Sequence, residues 1–413
     1  MRVSGLAVNT FWKLMSHVLS RGSLIVASII LARSLDQIAF AEFSYFQLTA
    51  VTVAAYAGMG LGVTASKYFA EAAVIGNARD HQALTLIWLI SISVSILFSV
   101  GILLVPGAWL PGTLAIPRWL LALAVLALAL ETVPNGALLG LECYRPVALL
   151  SVIAATVLLL GASWAASTGS PEPAMISIIS VSGLQVAAKS WIVIRKIGWE
   201  AISTWRTVNR SDLMKVCNFA GPMLLVSLLS SSGAWVLGQM ILNGPGGPVA
   251  FARYAIGLQW FSLGLFLPAI LSDVVLPRII RASKEGFSAK ELTKTSAGAA
   301  VLMASLISIG AISFGALIPR LYGGHYANDR WLIAAYLAAA IILAPANTIG
   351  NAIVANNGQR VWLALTCLWM TVLIVAASST TQLMAWTGAI SQAAAAAALV
   401  TGAAMVARNR GLI

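Results

Sequence analysis

NTFWKLMSHVLSRGSLIVASIIL, residues 9–31, decides how the rest of the chain is read. It is long enough to cross a bilayer, which takes about 20 residues. It nevertheless carries Lys13, His17 and Arg21, spaced four apart. At 3.6 residues per turn these three lie within a sector of about 80°. Asn9, Ser16, Ser20, Ser23 and Ser28 fall in or beside that sector, and Leu14, Val18, Ile25, Val26 and Ile29 take the opposite side. The stretch is a membrane-length helix with one apolar face and one basic, hydroxyl-rich face. A charge near mid-membrane costs about 2.5–3.5 kcal/mol even on the lenient insertion scale, and such residues face a bundle interior or a wet cavity. The basic face therefore reads as the wall of a cavity that receives something anionic. Two blander readings stay open. The helix could lie on the membrane surface, or Lys13 could snorkel to the headgroups, an escape for which Arg21 sits too far along the helix.

Composition places that helix in its class. The chain has 413 residues, 60% of them hydrophobic and only 9% charged, against about 25% charged in soluble domains. It reads as an all-α, polytopic integral membrane protein with no soluble domain. The net charge of +12 would suggest nucleic acid in a soluble protein. Here the basic residues sit mostly in short loops between apolar runs, so the positive-inside rule accounts for them and no nucleic-acid partner is expected. Cys143, Cys217 and Cys367 form neither a metal spacing nor a disulfide framework. There is no phosphate-binding Gly-Lys-Ser loop, and His17, His81 and His325 fit no zinc pattern. No metal, no cofactor and no catalytic residue are expected, and the chain reads as a non-enzyme. GMGLG (58–62) reads as a helix-packing segment.

Apolar runs of spanning length fall at about 11–31, 40–63, 84–105, 118–140, 147–167, 174–194, 214–241, 251–276, 296–318, 331–354, 361–379 and 387–406, which predicts about twelve transmembrane helices. The fourth and fifth are separated only by Glu142–Arg145, where Pro146 supplies the break. Seventeen Lys and Arg residues fall in one set of loops and five in the other. The excess places both termini in the cytoplasm and leaves only short external loops. IAFAEFSYFQL (38–48) and VAFARYAIGLQ (249–259) each follow the opening helix of a half, with Ala39-Phe40-Ala41 offset by 211 from Ala250-Phe251-Ala252. The expected organisation is an N-terminal six-helix lobe, 1–208, and a C-terminal one, 209–413. An even number of spans in each gives a parallel repeat, with substrate handled between the halves.

The halves differ in charge. Lys13, His17, Arg21, Glu131 and Lys189 lie within spans of the first half. The seventh helix has only neutral groups, and the tenth has Asn347 and Asn351 about where the fourth has Glu131 and Asn135. Glu131 is expected to pair with Lys189 or a first-helix cation, or to carry a proton. Asp273, near Arg278, is expected to form an interfacial pair.

Three stretches carry a resemblance. IILARSLDQIAFAEFSYFQ (29–47) with GMGLGVTASKYFAE (58–71), LPAILSDVVLPRIIRASKEG (267–286) and LYGGHYAND (321–329) resemble bacterial polysaccharide flippases of the O-antigen type. These belong to the superfamily of multidrug, oligosaccharidyl-lipid and polysaccharide exporters, which includes the lipid II flippase. Leu35-Asp36 and Phe43-Ser44 depart from the Leu-Gly and aromatic-Gly pairs common in the family. The resemblance implies a flippase of the bacterial inner membrane that turns an undecaprenyl-diphosphate-linked oligosaccharide from the inner to the outer leaflet by alternating access. It implies a cationic central cavity to which first-helix cations contribute. On this reading Lys13, Arg21 and Lys189 contact the diphosphate, His17 and Glu131 support them or sense protonation, and Asn347 and Asn351 meet sugar. Membrane lipids, a polysaccharide polymerase and glycosyltransferases are the implied partners. A cation-coupled multidrug exporter of the same superfamily is the alternative; a membrane-embedded polymerase or ligase would need a long external loop that the chain lacks.

Overall fold

A computed structural model describes residues 3–58, 60–62, 64–66, 68–69, 78–104, 114–198, 210–272, 275, 289–315, 317–356, 358–380 and 384–413, with side chains described except for 3–10, 78–83, 210–224 and 289. Asp273 and Arg278 lie outside these residues. Among the described residues twelve long helices follow one another: α1 Val3–Ser34, α2 Gln37–Gly58, α3 Ala78–Leu104, α4 Arg118–Gly140, α5 Tyr144–Thr168, α6 Glu172–Ile197, α7 Arg210–Leu242, α8 Gly247–Gly264, α9 Ala289–Ser313, α10 Arg330–Ala355, α11 Gln359–Ser379 and α12 Ala385–Asn409. All twelve contain a segment long and apolar enough to span a membrane, one for each predicted run. No strand occurs among the described residues.

Local chemistry sets the helix ends. Asp36 caps α2, its Oδ1 accepting the Ala39 N–H at 2.7 Å, which satisfies one of the orphan donors of the first turn. The residue that departs from the family pattern is thus a helix cap. Pro171 and Pro173 fix the start of α6. Gly169 closes α5 with φ of 69°, a left-handed conformation that glycine adopts without a Cβ penalty. Between α4 and α5 the break is made at Glu142, whose φ is 54°. Pro146 lies in the first turn of α5, where a missing N–H costs nothing. The turn, not the proline, separates the two helices.

The chain divides into two compact units, Met1–Leu228 and Leu229–Ile413. The division falls inside α7, whereas residue 208 of the expected boundary lies outside the described residues. The same helix pairs recur six positions apart. α4 packs on α2, α3 and α6, and α10 packs on α8, α9 and α12; α6 packs on α5 as α12 does on α11. Arg118-Trp119-Leu120 opens α4 and Arg330-Trp331-Leu332 opens α10, and each helix holds an internal proline, Pro134 and Pro345. These prolines keep the offset of 211 seen at Ala39/Ala250. In that register Gly136 corresponds to Asn347, and Glu131 to Ile342. Asn347 and Asn351 lie five positions beyond the counterparts of Glu131 and Asn135 in that register.

Close packing inside each unit depends on small residues, because lipid is as apolar as leucine and helix association rests on van der Waals fit. A methyl group at Gly136 would collide with the Gly62 carbonyl oxygen, and one at Gly140 with that of Ser66. Gly58 and Gly62 in turn face Thr132, so the glycines of 58–62 seat α4. In the second unit the buried Tyr254 and Tyr336 donate to the Ala234 carbonyl at 2.6 Å and the Ala385 carbonyl at 3.1 Å, which satisfies their hydroxyls in an apolar surrounding.

Candidate functional site

Within the first unit, α1, α2, α4, α5 and α6 surround a cavity of about 310 Å³. α1 contributes Lys13, Ser16, His17, Ser20 and Ser23; α4 contributes Glu131 and Asn135; α6 contributes Ser182, Gln185 and Lys189. Gln47 of α2 with Tyr144 and Ser151 of α5 complete the polar lining. Four of the predicted site residues thus meet in one place: Lys13, His17, Glu131 and Lys189.

Arg21 does not line this cavity and is exposed. The helical period explains why. Taking Lys13 as zero and about 100° per residue, the cavity-lining positions of α1 run from about −80° at Ser23 to about +40° at His17, while Arg21 stands at about +80°. The cavity is centred on the serine stripe rather than on the three charges.

Lys189 is the buried centre of the polar network, 3% exposed. Its Nζ lies 2.6 Å from Glu131 Oε1 and donates to Asn135 Oδ1 at 3.1 Å. Glu131 and Asn135 are one helical turn apart on α4, so both reach the same ammonium from one face. Glu131 therefore pairs with Lys189, as one of the sequence alternatives had it. A charged group removed from water requires such a partner and further hydrogen bonds. At the opposite wall, the Ser16 and Ser151 hydroxyls share a hydrogen bond of 2.8 Å that ties α1 to α5. Near the end of α1 the Arg145 guanidinium stands 5.9 Å from the Trp12 ring. Two lysines against one glutamate leave the lining with a formal charge of +1 when His17 is neutral and +2 when it is protonated. The arrangement suits an anion that also offers hydroxyls to Gln47, Gln185 and the serines.

Asn347 and Asn351 belong to the second unit. Asn347 is exposed on α10. Asn351 Nδ2 donates to Ser272 Oγ at 2.8 Å, which bridges α10 to the stretch that follows α8. The neutral groups Gln47, Gln185 and Ser182 were not foreseen from sequence, because an uncharged polar residue in an apolar run carries little signal by itself.

Residues 6–283 match the family model described as polysaccharide biosynthesis protein. The chain is 24% identical over 344 residues to the EPS I polysaccharide export inner membrane protein EpsE of Ralstonia solanacearum, covering 79% of this chain and 77% of the relative. It is 23% identical over 338 residues to the protein of that name from Ralstonia nicotianae, with the same coverage of 79% and 77%. Among solved structures it is similar to the inward-facing conformation of a multidrug resistance MATE family transporter of the MOP superfamily, with a TM-score of 0.71, 17% identity and coverage of 96% and 95%. The outward-facing conformation of such a transporter gives a TM-score of 0.71, 14% identity and coverage of 97% and 94%. At these identities the structural likeness speaks for the fold.

Proposed function

The chain belongs to the polysaccharide biosynthesis protein family, and we propose that it is a multi-pass inner-membrane flippase that turns an undecaprenyl-diphosphate-linked oligosaccharide from the inner to the outer leaflet. The observation that carries this reading is the cavity that joins Lys13, His17, Glu131 and Lys189 on membrane-length helices. A diphosphate with about two negative charges is very costly in a low-dielectric core unless it is paired. Lys13 and Lys189 supply the pairing, and protonation of His17 brings the lining to a matching charge. Glu131 holds Lys189 in place until the anion arrives and is the second proton-sensing group. Arg21, on the neighbouring sector of α1, meets the substrate outside the cavity.

The cavity volume lies at the lower end of the roughly 300–1,000 Å³ typical of small-molecule sites. It suits the charged junction of the molecule and the adjoining sugar, with the rest of the glycan held outside; the exposed Asn347, and Asn351 one turn along α10, are assigned to that outer contact. Alternating access follows from rocking of two halves related by a parallel repeat. The orientation has both termini in the cytoplasm, and the enzymes that build and polymerise the glycan are the expected functional partners. Drug export is the second reading that the fold neighbours raise. Two lysines against one carboxylate favour an anionic substrate over a cationic drug.

The test is transport by the purified protein in proteoliposomes carrying a fluorescent undecaprenyl-diphosphate saccharide. Wild-type protein should expose the inner-leaflet label to a membrane-impermeant quencher, and Lys13→Ala should abolish this. Protein that flips nothing, or that flips equally well without Lys13, would refute the proposal.

A further inference from the structure

A second cavity, also about 310 Å³, lies where α9 ends and α10 begins. Ile318, Ile333 and Leu337, all buried, form its floor. Among its described lining residues the polar side chains are Ser313, Arg330 and the indole of Trp331. The Ser313 hydroxyl already donates to the Ile309 carbonyl at 2.8 Å. Arg330 differs. Its guanidinium lies 4.8 Å from the Trp331 ring, and the carboxylate next to it in sequence, Asp329, is paired instead with Arg253 at 3.3 Å. Of the lining residues Ile312 and Trp331 are exposed, and so are Phe314 and Leu317, which neighbour the lining in sequence.

We propose that this cavity binds one phospholipid with an anionic headgroup, its phosphate on Arg330 and the start of an acyl chain on Ile318, Ile333 and Leu337. An arginine beside a tryptophan at the end of a spanning helix marks the depth of the headgroups. The guanidinium fork matches a phosphate, and stacking on the indole holds it ready, so little side-chain freedom is lost on binding. The exposed apolar rim opens toward the bilayer, which presents acyl chains, and a soluble anion would leave the apolar floor unused. The site is separate from the cavity of the first unit and stands whether or not the flippase reading does.

The test is native mass spectrometry of the full-length protein titrated with phosphatidylglycerol, phosphatidylethanolamine or inorganic phosphate. Wild-type protein should retain one phosphatidylglycerol in preference to phosphatidylethanolamine, and excess inorganic phosphate should not displace it. Arg330→Ala should weaken that binding roughly tenfold, the scale of a lost charge-assisted hydrogen bond. Arg330→Lys should fall between, and Ala334→Trp, which fills the cavity, should remove the bound lipid with circular dichroism unchanged. Equal phosphatidylglycerol binding by wild type, Arg330→Ala and Ala334→Trp would leave only an unselective lipid annulus and overturn the proposal. Equal retention of both lipids, or displacement by inorganic phosphate, would overturn it as well.

Discussion

Lys189 and Glu131, 58 positions apart in sequence, form an ion pair of 2.6 Å inside the first unit. The pair ties α6 to α4 within two membrane-length helices, where a lone charge is costly. It also sets the lining charge available to a ligand.

Removing one member of a buried pair strands the other, which costs about 3–5 kcal/mol, whereas replacing both by apolar groups is often neutral. Glu131→Gln and Lys189→Met should therefore each lower the thermal stability of the detergent-purified protein, and Glu131→Leu combined with Lys189→Met should recover most of it. The double variant should still fail to transport. A stable double variant with wild-type transport would remove Lys189 from the proposed site.

Lys13 and Arg21 should separate. Lys13→Ala is expected to abolish flipping in proteoliposomes, while Arg21→Ala, outside the cavity lining, should reduce it and leave activity measurable. Surface polysaccharide in a complementation assay gives the same order, with membrane levels of each variant checked by immunoblot. The reverse order would mean that the working face of α1 is centred on Arg21 rather than on the serine stripe.

Helix packing predicts a contrast between two glycines. A side chain at Gly136 meets the Gly62 backbone, which cannot move aside as a side chain would; a Cβ at Gly22 meets nothing within 4 Å. Gly136→Ala should destabilise by about 1–3 kcal/mol, the usual cost of overpacking. Gly22→Ala should be neutral or slightly stabilising through helix propensity. Thermal unfolding in detergent reads both.

Burial pushes the Asp329 carboxyl above the ordinary aspartate range, and the neighbouring Arg253 pulls it partly back. A carboxyl raised in the folded state binds its proton more tightly folded than unfolded. It therefore favours folding at low pH, and that contribution is lost as pH rises from the ordinary aspartate value through the folded one. Going from about pH 4 to about pH 7, wild-type protein should lose more stability than Asp329→Asn, whatever the absolute difference between them. An equal pH response would show that burial of Asp329 has no bearing on folding.

The twelve spans were legible because each is a predominantly apolar run of bilayer length, while a cap such as Asp36 and a turn such as Glu142 set ends that hydropathy alone leaves open. Four cavity residues were legible for the opposite reason: Lys13, His17, Glu131 and Lys189 are polar where polarity is costly. Arg21 was drawn into the same face because its charge defined the sector, whereas the cavity borders α1 along Ser16, Ser20 and Ser23. The link between α4 and α10 was obscured because Glu131 has an apolar counterpart. The matching helix partners of α4 and α10, with Pro134 and Pro345 inside them and Arg-Trp-Leu at their starts, make that link visible.

The most direct measurement is thiol labelling of Ser20→Cys in a background lacking Cys143, Cys217 and Cys367, with a charged, membrane-impermeant reagent. Ser20 lies near the middle of the cavity-facing stripe of α1. The account predicts that the reagent reaches position 20 and that an undecaprenyl-diphosphate saccharide protects it, while a cationic drug does not. Labelling unaffected by the lipid-linked saccharide, or blocked by the drug alone, would contradict the claim that this cavity receives a diphosphate-linked glycan.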